Sequence, residues 1–274
     1  MNPKLDTYRD LNKGDLQRRR VDVWLPSAYH ANPQRAFPVL YMHDGQMVFD
    51  NPRNPDGGWM VHQALERLAE DEKIDPPIVV AIPSTIERTY EYLPAKAMAY
   101  PEGKAAWQKM KSKLPSDENL EKSQKLMAWI VETVKPFIDS HYRTLSDPAN
   151  SAIMGSSLGA LAALTIFCEY PQVFHKAACL SSHWPILGGG MISYLADNLP
   201  SPEGRKLYFD YGSEGLDSDY APWQAKVDAL VKEKAYEEGK EFVSWSFPGE
   251  GHNTKAWAAR LHIPLTFLFG TIDL

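Results

Sequence analysis

The chain has 274 residues, of which 44% are hydrophobic and 23% charged, enough for one large or two small domains with a buried core. Its 17 glycines and 21 prolines are too few for a low-complexity or disordered chain. A formal net charge of −6, with basic residues densest only in the short run 18–20 and the interrupted stretch 104–113, excludes nucleic-acid binding through a basic surface.

No apolar run reaches the ~20 residues that cross a bilayer, so no membrane insertion is expected. The first ten residues lack the apolar stretch of a secretory signal. The compartment stays open: cytoplasmic for the sequence as it stands, secreted or periplasmic if a leader has been removed. The two cysteines, Cys168 and Cys179, sit in apolar settings and read as packing residues, with neither a disulfide framework nor a Cys-rich metal site.

In chain order, β-rich segments at 21–25, 38–42, 78–82, 151–154, 177–180, 206–211 and 242–247 alternate with helical periodicity at 60–72, 119–140, 158–169, 221–238 and 254–269. This alternation implies βαβ units around a mostly parallel central sheet flanked by helices, an α/β fold expected to form a single domain over 1–274. Periodicity is weakest at 84–117, where prolines and the close pair Tyr90 and Tyr92 suggest a loop or small cap insertion. The glycine run in 187–191 reads as a mobile loop, because no Lys-Ser/Thr follows it as a phosphate cradle requires. Trp24, Trp129 and Trp245 read as core. Trp59, Tyr90, Tyr92, Trp184 and Trp223 fall in loops or at strand ends, where they could form an aromatic acyl or sugar pocket.

The strongest chemical signal is Gly155-Ser156-Ser157-Leu158-Gly159, a G-x-S-x-G pattern that this composition produces by chance roughly 0.07 times per chain. A buried strand runs into it and an apolar helix leaves it, the context of a nucleophile elbow, in which small flanking residues permit a strained turn that projects Ser157 above the sheet. A serine hydroxyl needs a base and an orienting carboxylate. His252, in the Gly-flanked loop 248–253, is the best-placed base: His262 lies inside a helical segment, and His183 precedes every plausible acid. The acid belongs on the loop after the 206–211 strand, where Glu214, Asp217 and Asp219 compete and a helix cap is the alternative role for either aspartate.

These motifs, with Pro38-Val39-Leu40-Tyr41-Met42-His43-Asp44-Gly45-Gln46, the stretch from Arg88 to Pro94, and Trp257 to Phe269, resemble the Putative esterase family of α/β-hydrolases. That family includes feruloyl and acetylxylan esterases, enterochelin esterases, S-formylglutathione hydrolases and mycolyltransferases. The resemblance runs from about Arg19 onward and implies an α/β-hydrolase fold. The position three residues after the strand-ending glycine, which carries the acid in many relatives, is Gly215 here. The longer arrangement of other members favours Asp217. The resemblance further implies backbone N–H groups of Gln46 and Leu158 as an oxyanion hole.

The leading expectation is a serine carboxylic ester hydrolase with Ser157 as nucleophile, His252 as base and Asp217 as its orienting acid. It takes a small-molecule ester of a short or moderate acyl group, of carbohydrate or aromatic acids, contacted by Trp59, Arg88, Tyr92 and Trp184. An acyltransferase to a sugar hydroxyl and a non-catalytic binding protein on the same scaffold are the alternatives. No cofactor and no metal are required, because triad and oxyanion hole account for activation and charge stabilisation. A homo-oligomer is left open.

Overall fold

The fold is given by a computed structural model that describes residues 3–11, 14, 16–111 and 121–270. Positions 119–120 of one expected helix and 112–117 of the expected insertion lie outside the described residues. Eight strands form one sheet among the described residues: β1 (Asp6–Tyr8), β2 (Val21–Trp24), β3 (Val39–His43), β4 (Ile78–Ile82), β5 (Ser151–Ser156), β6 (Lys176–Leu180), β7 (Lys206–Glu214) and β8 (Phe242–Gly251). Their order is β1-β2-β4-β3-β5-β6-β7-β8, antiparallel at β1-β2-β4 and parallel from β4 to β8. The helices are α1 (Ser27–Ala31), α2 (Val61–Glu70), α3 (Arg88–Tyr92), α4 (Pro101–Met110), α5 (Lys122–Trp129), α6 (Lys135–His141), α7 (Leu158–Glu169), α8 (Gly190–Asn198), α9 (Ala221–Glu233), α10 (Thr254–Arg260) and α11 (His262–Phe269).

The two-residue side-chain period divides the core between the sheet's faces. Val39, Tyr41, Ile78, Val80, Ile82 and Ile153 enter one apolar cluster, and Leu40, Met42, Val79, Ala81, Ala152 and Met154 enter the other. Strands β3, β4 and β5 are therefore buried without a break and apolar except at their ends, at His43, Ser151 and Ser156, as strands covered on both faces tend to be. Helix α7 is apolar all round and buried from Leu158 to Cys168, so it is a central element of the first cluster.

Several boundaries differ from the sequence pattern for local reasons. The 254–269 segment is two helices that meet at Leu261: Pro264 has no N–H for the carbonyl of Arg260, and its ring crowds that carbonyl. The 119–140 segment contains a π turn, Ile130–Val134, which accommodates Pro136 at the start of α6. Trp245 is not core. It is 45% exposed on β8, an edge strand whose outer half faces solvent. The described part of 84–117 contains α3 and α4, and Tyr90, Tyr92, Leu93, Ala97, Met98 and Trp107 pack from it into the first cluster.

The glycine run expected to be a mobile loop instead opens α8. Gly188 and Gly189 take φ of 56° and 100°, and a Cβ on Gly190 would lie 2.6 Å from Gly103 Cα and 2.7 Å from the Ala97 carbonyl oxygen. Only glycine lets α8 approach α4 this closely. Gly190→Ala is therefore expected to lose about 1–3 kcal/mol in urea unfolding; a loss below about 0.5 kcal/mol would show that this contact yields freely.

Candidate active site

Strand β3 lies between β4 on one side and β5 on the other. The chain thus leaves β3 in one direction for β4 and later returns to the opposite side, so a crevice opens at the carboxyl ends of β3 and β5. Ser157 follows β5 there, and the turn from Asp44 to Met47 follows β3. Ser157 has φ 58° and ψ −123°, a conformation that costs a non-glycine residue about 1–3 kcal/mol. Its N–H donates to the Leu180 carbonyl at 2.9 Å, and Leu158 begins α7 at once. A Cβ on Gly155 would lie 2.3 Å from the Gly159 carbonyl oxygen, so the elbow closes only with glycine at that point.

The 3₁₀ turn Gly215–Asp219 after β7 carries Asp217, which is 1% exposed, while Glu214 is exposed. His252, just past β8, has Nδ1 at 2.6 Å from Asp217 Oδ1. The other carboxylate oxygen accepts from Ser181 Oγ at 2.6 Å and from the Gly212 N–H at 2.7 Å. Burial pushes the Asp217 pKa up, but the bonds from His252, Ser181 and Gly212 outweigh it and hold the carboxyl below its ordinary value. Asp217 is accordingly an anion at neutral pH.

A further layer fixes Ser181. Its Oγ accepts from Trp257 Nε1 at 2.9 Å and Arg260 Nη2 at 3.2 Å, and Arg260 also grips Asp210 with Nε at 3.0 Å and Nη2 at 2.9 Å. Tyr208 donates to Asp210 Oδ2 at 3.0 Å. Ser181, Tyr208 and Asp210 have no motif of their own in the sequence, and Trp257 and Arg260 belong to the family-like stretch from Trp257 without a role assigned there; the strand registers and α10 bring them together.

Ser157 joins this corner through His183. The His183 N–H donates to the Ser157 carbonyl at 3.3 Å, its Nδ1 lies 2.6 Å from Tyr220 Oη, and the Tyr220 ring stands edge-on to His252 with centroids 5.9 Å apart. Tyr220 is thus a neighbour of the site that the sequence pattern left unmarked. His262 is exposed at the start of α11.

On the β3 side, Asp44 takes a left-handed conformation with φ 52° and ψ 45°. Its N–H donates to Tyr92 Oη at 2.9 Å, and Arg88 clasps its carboxylate through Nε and Nη2, both at 2.7 Å. The Gln46 side chain is pinned to Ser84, donating to Oγ at 2.8 Å and accepting from the N–H at 2.9 Å. Arg88 and Tyr92 therefore hold the turn that presents Gln46. Tyr92 is 1% exposed, and Trp184, also 1% exposed, donates to Gln224 inside the protein. Trp59 packs against Trp257 with ring centroids 5.7 Å apart. Of the four residues expected to contact substrate, Arg88 keeps the greatest exposure.

His43, at the end of β3, is buried against Tyr92, and burial pulls its pKa down to about 4, with Asp44 opposing. An unfolded histidine binds a proton near pH 6.5, so between pH 6.5 and about 4 the unfolded chain holds the extra proton and stability falls as pH falls. From pH 7 to 4.5, His43→Phe is expected to lose about 2–3 kcal/mol less unfolding free energy than the parent chain. Equal losses by urea titration would mean that His43 is protonated in the fold.

Among the described residues, no group of three or more His, Cys, Asp and Glu side chains is arranged to hold a metal ion, and no helix is long and apolar enough to cross a membrane. The fold is that of α/β-hydrolase esterases. A ferulic acid esterase structure is similar with a TM-score of 0.69 at 16% identity, covering 97% of this chain and 98% of that one. The enterobactin esterase FES from Shigella flexneri is similar with a TM-score of 0.67 at 18% identity, covering 97% of this chain and 59% of that one. In sequence, an endo-1,4-beta-xylanase/feruloyl esterase of Xylanibacter ruminicola is 23% identical over 263 residues, 86% of this chain but 30% of that protein's length. The family described as Putative esterase matches residues 16–259, nearly the whole of this α/β domain with its elbow, acid turn and histidine loop, and the chain belongs to that family.

Proposed function

We propose that the chain is a serine carboxylic ester hydrolase. The observation that carries this reading is the 2.6 Å contact of His252 with a buried, ionised Asp217, at the same sheet edge as a serine held in a strained elbow. Asp217 keeps the His252 proton on Nδ1, which leaves Nε2 as the acceptor for the Ser157 hydroxyl proton. Ser157 Oγ then bonds to the ester carbonyl carbon. The Gln46 and Leu158 N–H groups receive the negative charge on the carbonyl oxygen. Collapse expels the alcohol, which takes the proton from His252, and water deprotonated by the same imidazole releases the acid from the acyl-serine.

The substrate is an ester of a short or moderate acyl group. The names of the similar proteins support aromatic acids and carbohydrate esters as the first classes to test. The packing of Tyr90, Tyr92, Leu93, Ala97 and Met98 into the core argues against a large mobile lid for long acyl chains.

With para-nitrophenyl acetate and feruloyl esters, Ser157→Ala is expected to remove nearly all turnover, about 10⁶-fold in kcat, and Asp217→Asn to cost about 10⁴-fold. Glu214→Gln is expected to stay within about threefold of the parent chain; the reverse ranking of the two carboxylates would move the acid to Glu214. Arg88→Met loosens the Asp44 turn, and with it the Gln46 donor, so kcat is expected to fall about 10–100-fold with KM nearly unchanged. A rise in KM at constant kcat would make Arg88 a substrate contact.

A further inference from the structure

A cavity of about 710 Å³ opens beside Gln46 and is lined by Arg18, Arg19, Arg20, Asp50, Arg53 and Ser84, among others. Its walls come from the segment before β2, the loops after β3, and residues 83–86 just past β4, so it opens at the carboxyl edge of the sheet that also carries Ser157, and it shares Gln46 with the turn there. Among the described residues, four arginines and one carboxylic acid line it, an excess of basic residues that stands out in a chain whose net charge is −6. Two of them have partners within the fold. Arg19 forms a buried pair with Glu91, and Arg20 donates to Asp22 Oδ2 at 2.6 Å. Arg18 and Arg53 are exposed on the wall, and among the described lining residues Asp50 is the one acid beside them.

The rest of the lining narrows the ligand further. Among the described residues no aromatic ring lines the cavity, so they offer no stacking platform to a neutral sugar or a feruloyl ring. It does offer Ile86, whose side chain is 92% exposed at the rim. Guanidinium forks match carboxylate geometry, and an adjacent apolar residue suits a small hydrocarbon body.

We propose that this groove is an acid subsite, in which Arg18 and Arg53 bind a carboxylate carried by the ester substrate, so that the preferred substrates are half-esters or esters of hydroxy acids. The inference rests on the reading of Ser157 and the Gln46 turn as the catalytic edge. The carboxylate can belong to the acyl or to the alcohol part, and two substrate pairs separate these sources. For the acyl side, para-nitrophenyl hydrogen glutarate is compared with para-nitrophenyl pentanoate; for the alcohol side, the acetyl ester of para-hydroxybenzoate is compared with that of its methyl ester.

In at least one pair, kcat/KM is expected to favour the acid. That ratio should fall about tenfold in the Arg18→Gln/Arg53→Gln variant and should also fall as salt is raised. A ratio that favours the neutral ester in both pairs, or is unmoved by the double substitution, overturns the proposal while leaving the serine hydrolase reading intact. Turnover that persists in Ser157→Ala instead overturns that reading. Calorimetric binding to Ser157→Ala then tests the groove without turnover: para-hydroxybenzoate should bind more tightly than its methyl ester, and adding Arg18→Gln/Arg53→Gln should abolish the difference. Monomethyl glutarate against methyl pentanoate tests the acyl side in the same way, and equal binding of acid and neutral ester in both comparisons overturns the subsite.

Discussion

A carboxylate with 1% exposure needs donors on both oxygens, and much of this molecule's architecture supplies them to Asp217. One oxygen meets His252; the other meets Ser181 and the Gly212 backbone. Ser181 gives away its only hydroxyl proton, so its oxygen must itself accept, and Trp257 and Arg260 provide for that. Arg260, nearly buried, is in turn balanced by Asp210. The chain of donors runs from β6 through β7 to α10, and His252 itself follows β8, so the orientation of one imidazole depends on the register of three strands and the docking of a helix.

The serine side depends on a different constraint, backbone strain supported by packing. Ser157 holds its costly conformation because the Leu180 carbonyl takes its N–H and because α7, apolar on every side, is locked into the core directly behind it. Across the crevice, the Asp44 turn is held by charge and aromatic contacts: the Arg88 fork and the Tyr92 hydroxyl, with Arg88 lying over the Tyr92 ring at 5.0 Å. The serine elbow and the Asp44 turn are thus fixed by different devices on the two sides of the topological switch, and His183 and Tyr220 link the elbow to the histidine beyond it.

What could be read in the sequence was what neighbouring residues determine. The elbow is legible because Gly155 and Gly159 flank Ser157 within a strand-to-helix turn, and the central strands because burial on both faces makes them apolar except at their ends. His252 carries its own glycine signal in Gly249 and Gly251, although both belong to the end of β8 and not to the loop expected at 248–253. The preference for Asp217 over Glu214 rests on family resemblance, whereas in the fold it is Ser181, distant in sequence, and the Gly212 backbone N–H, which no side chain marks, that receive Asp217. Long-range packing likewise set what the pattern misread: Trp245 lies on an edge strand, the 188–190 glycines sit against α4, and Tyr92 faces inward to Asp44. Strand β1 is three residues long and exists through its pairing with β2, so no local signal marks it.

The account stands on Ser157 being the activated nucleophile of the Asp217 and His252 pair. Its most direct test is covalent labelling with a fluorophosphonate, followed by peptide mapping and a time course. The expected result is a single adduct on Ser157 that forms far more slowly in His252→Ala and Asp217→Asn than in the parent chain. An adduct on Ser156, on no serine, or on Ser157 at a rate that ignores both partners would contradict it.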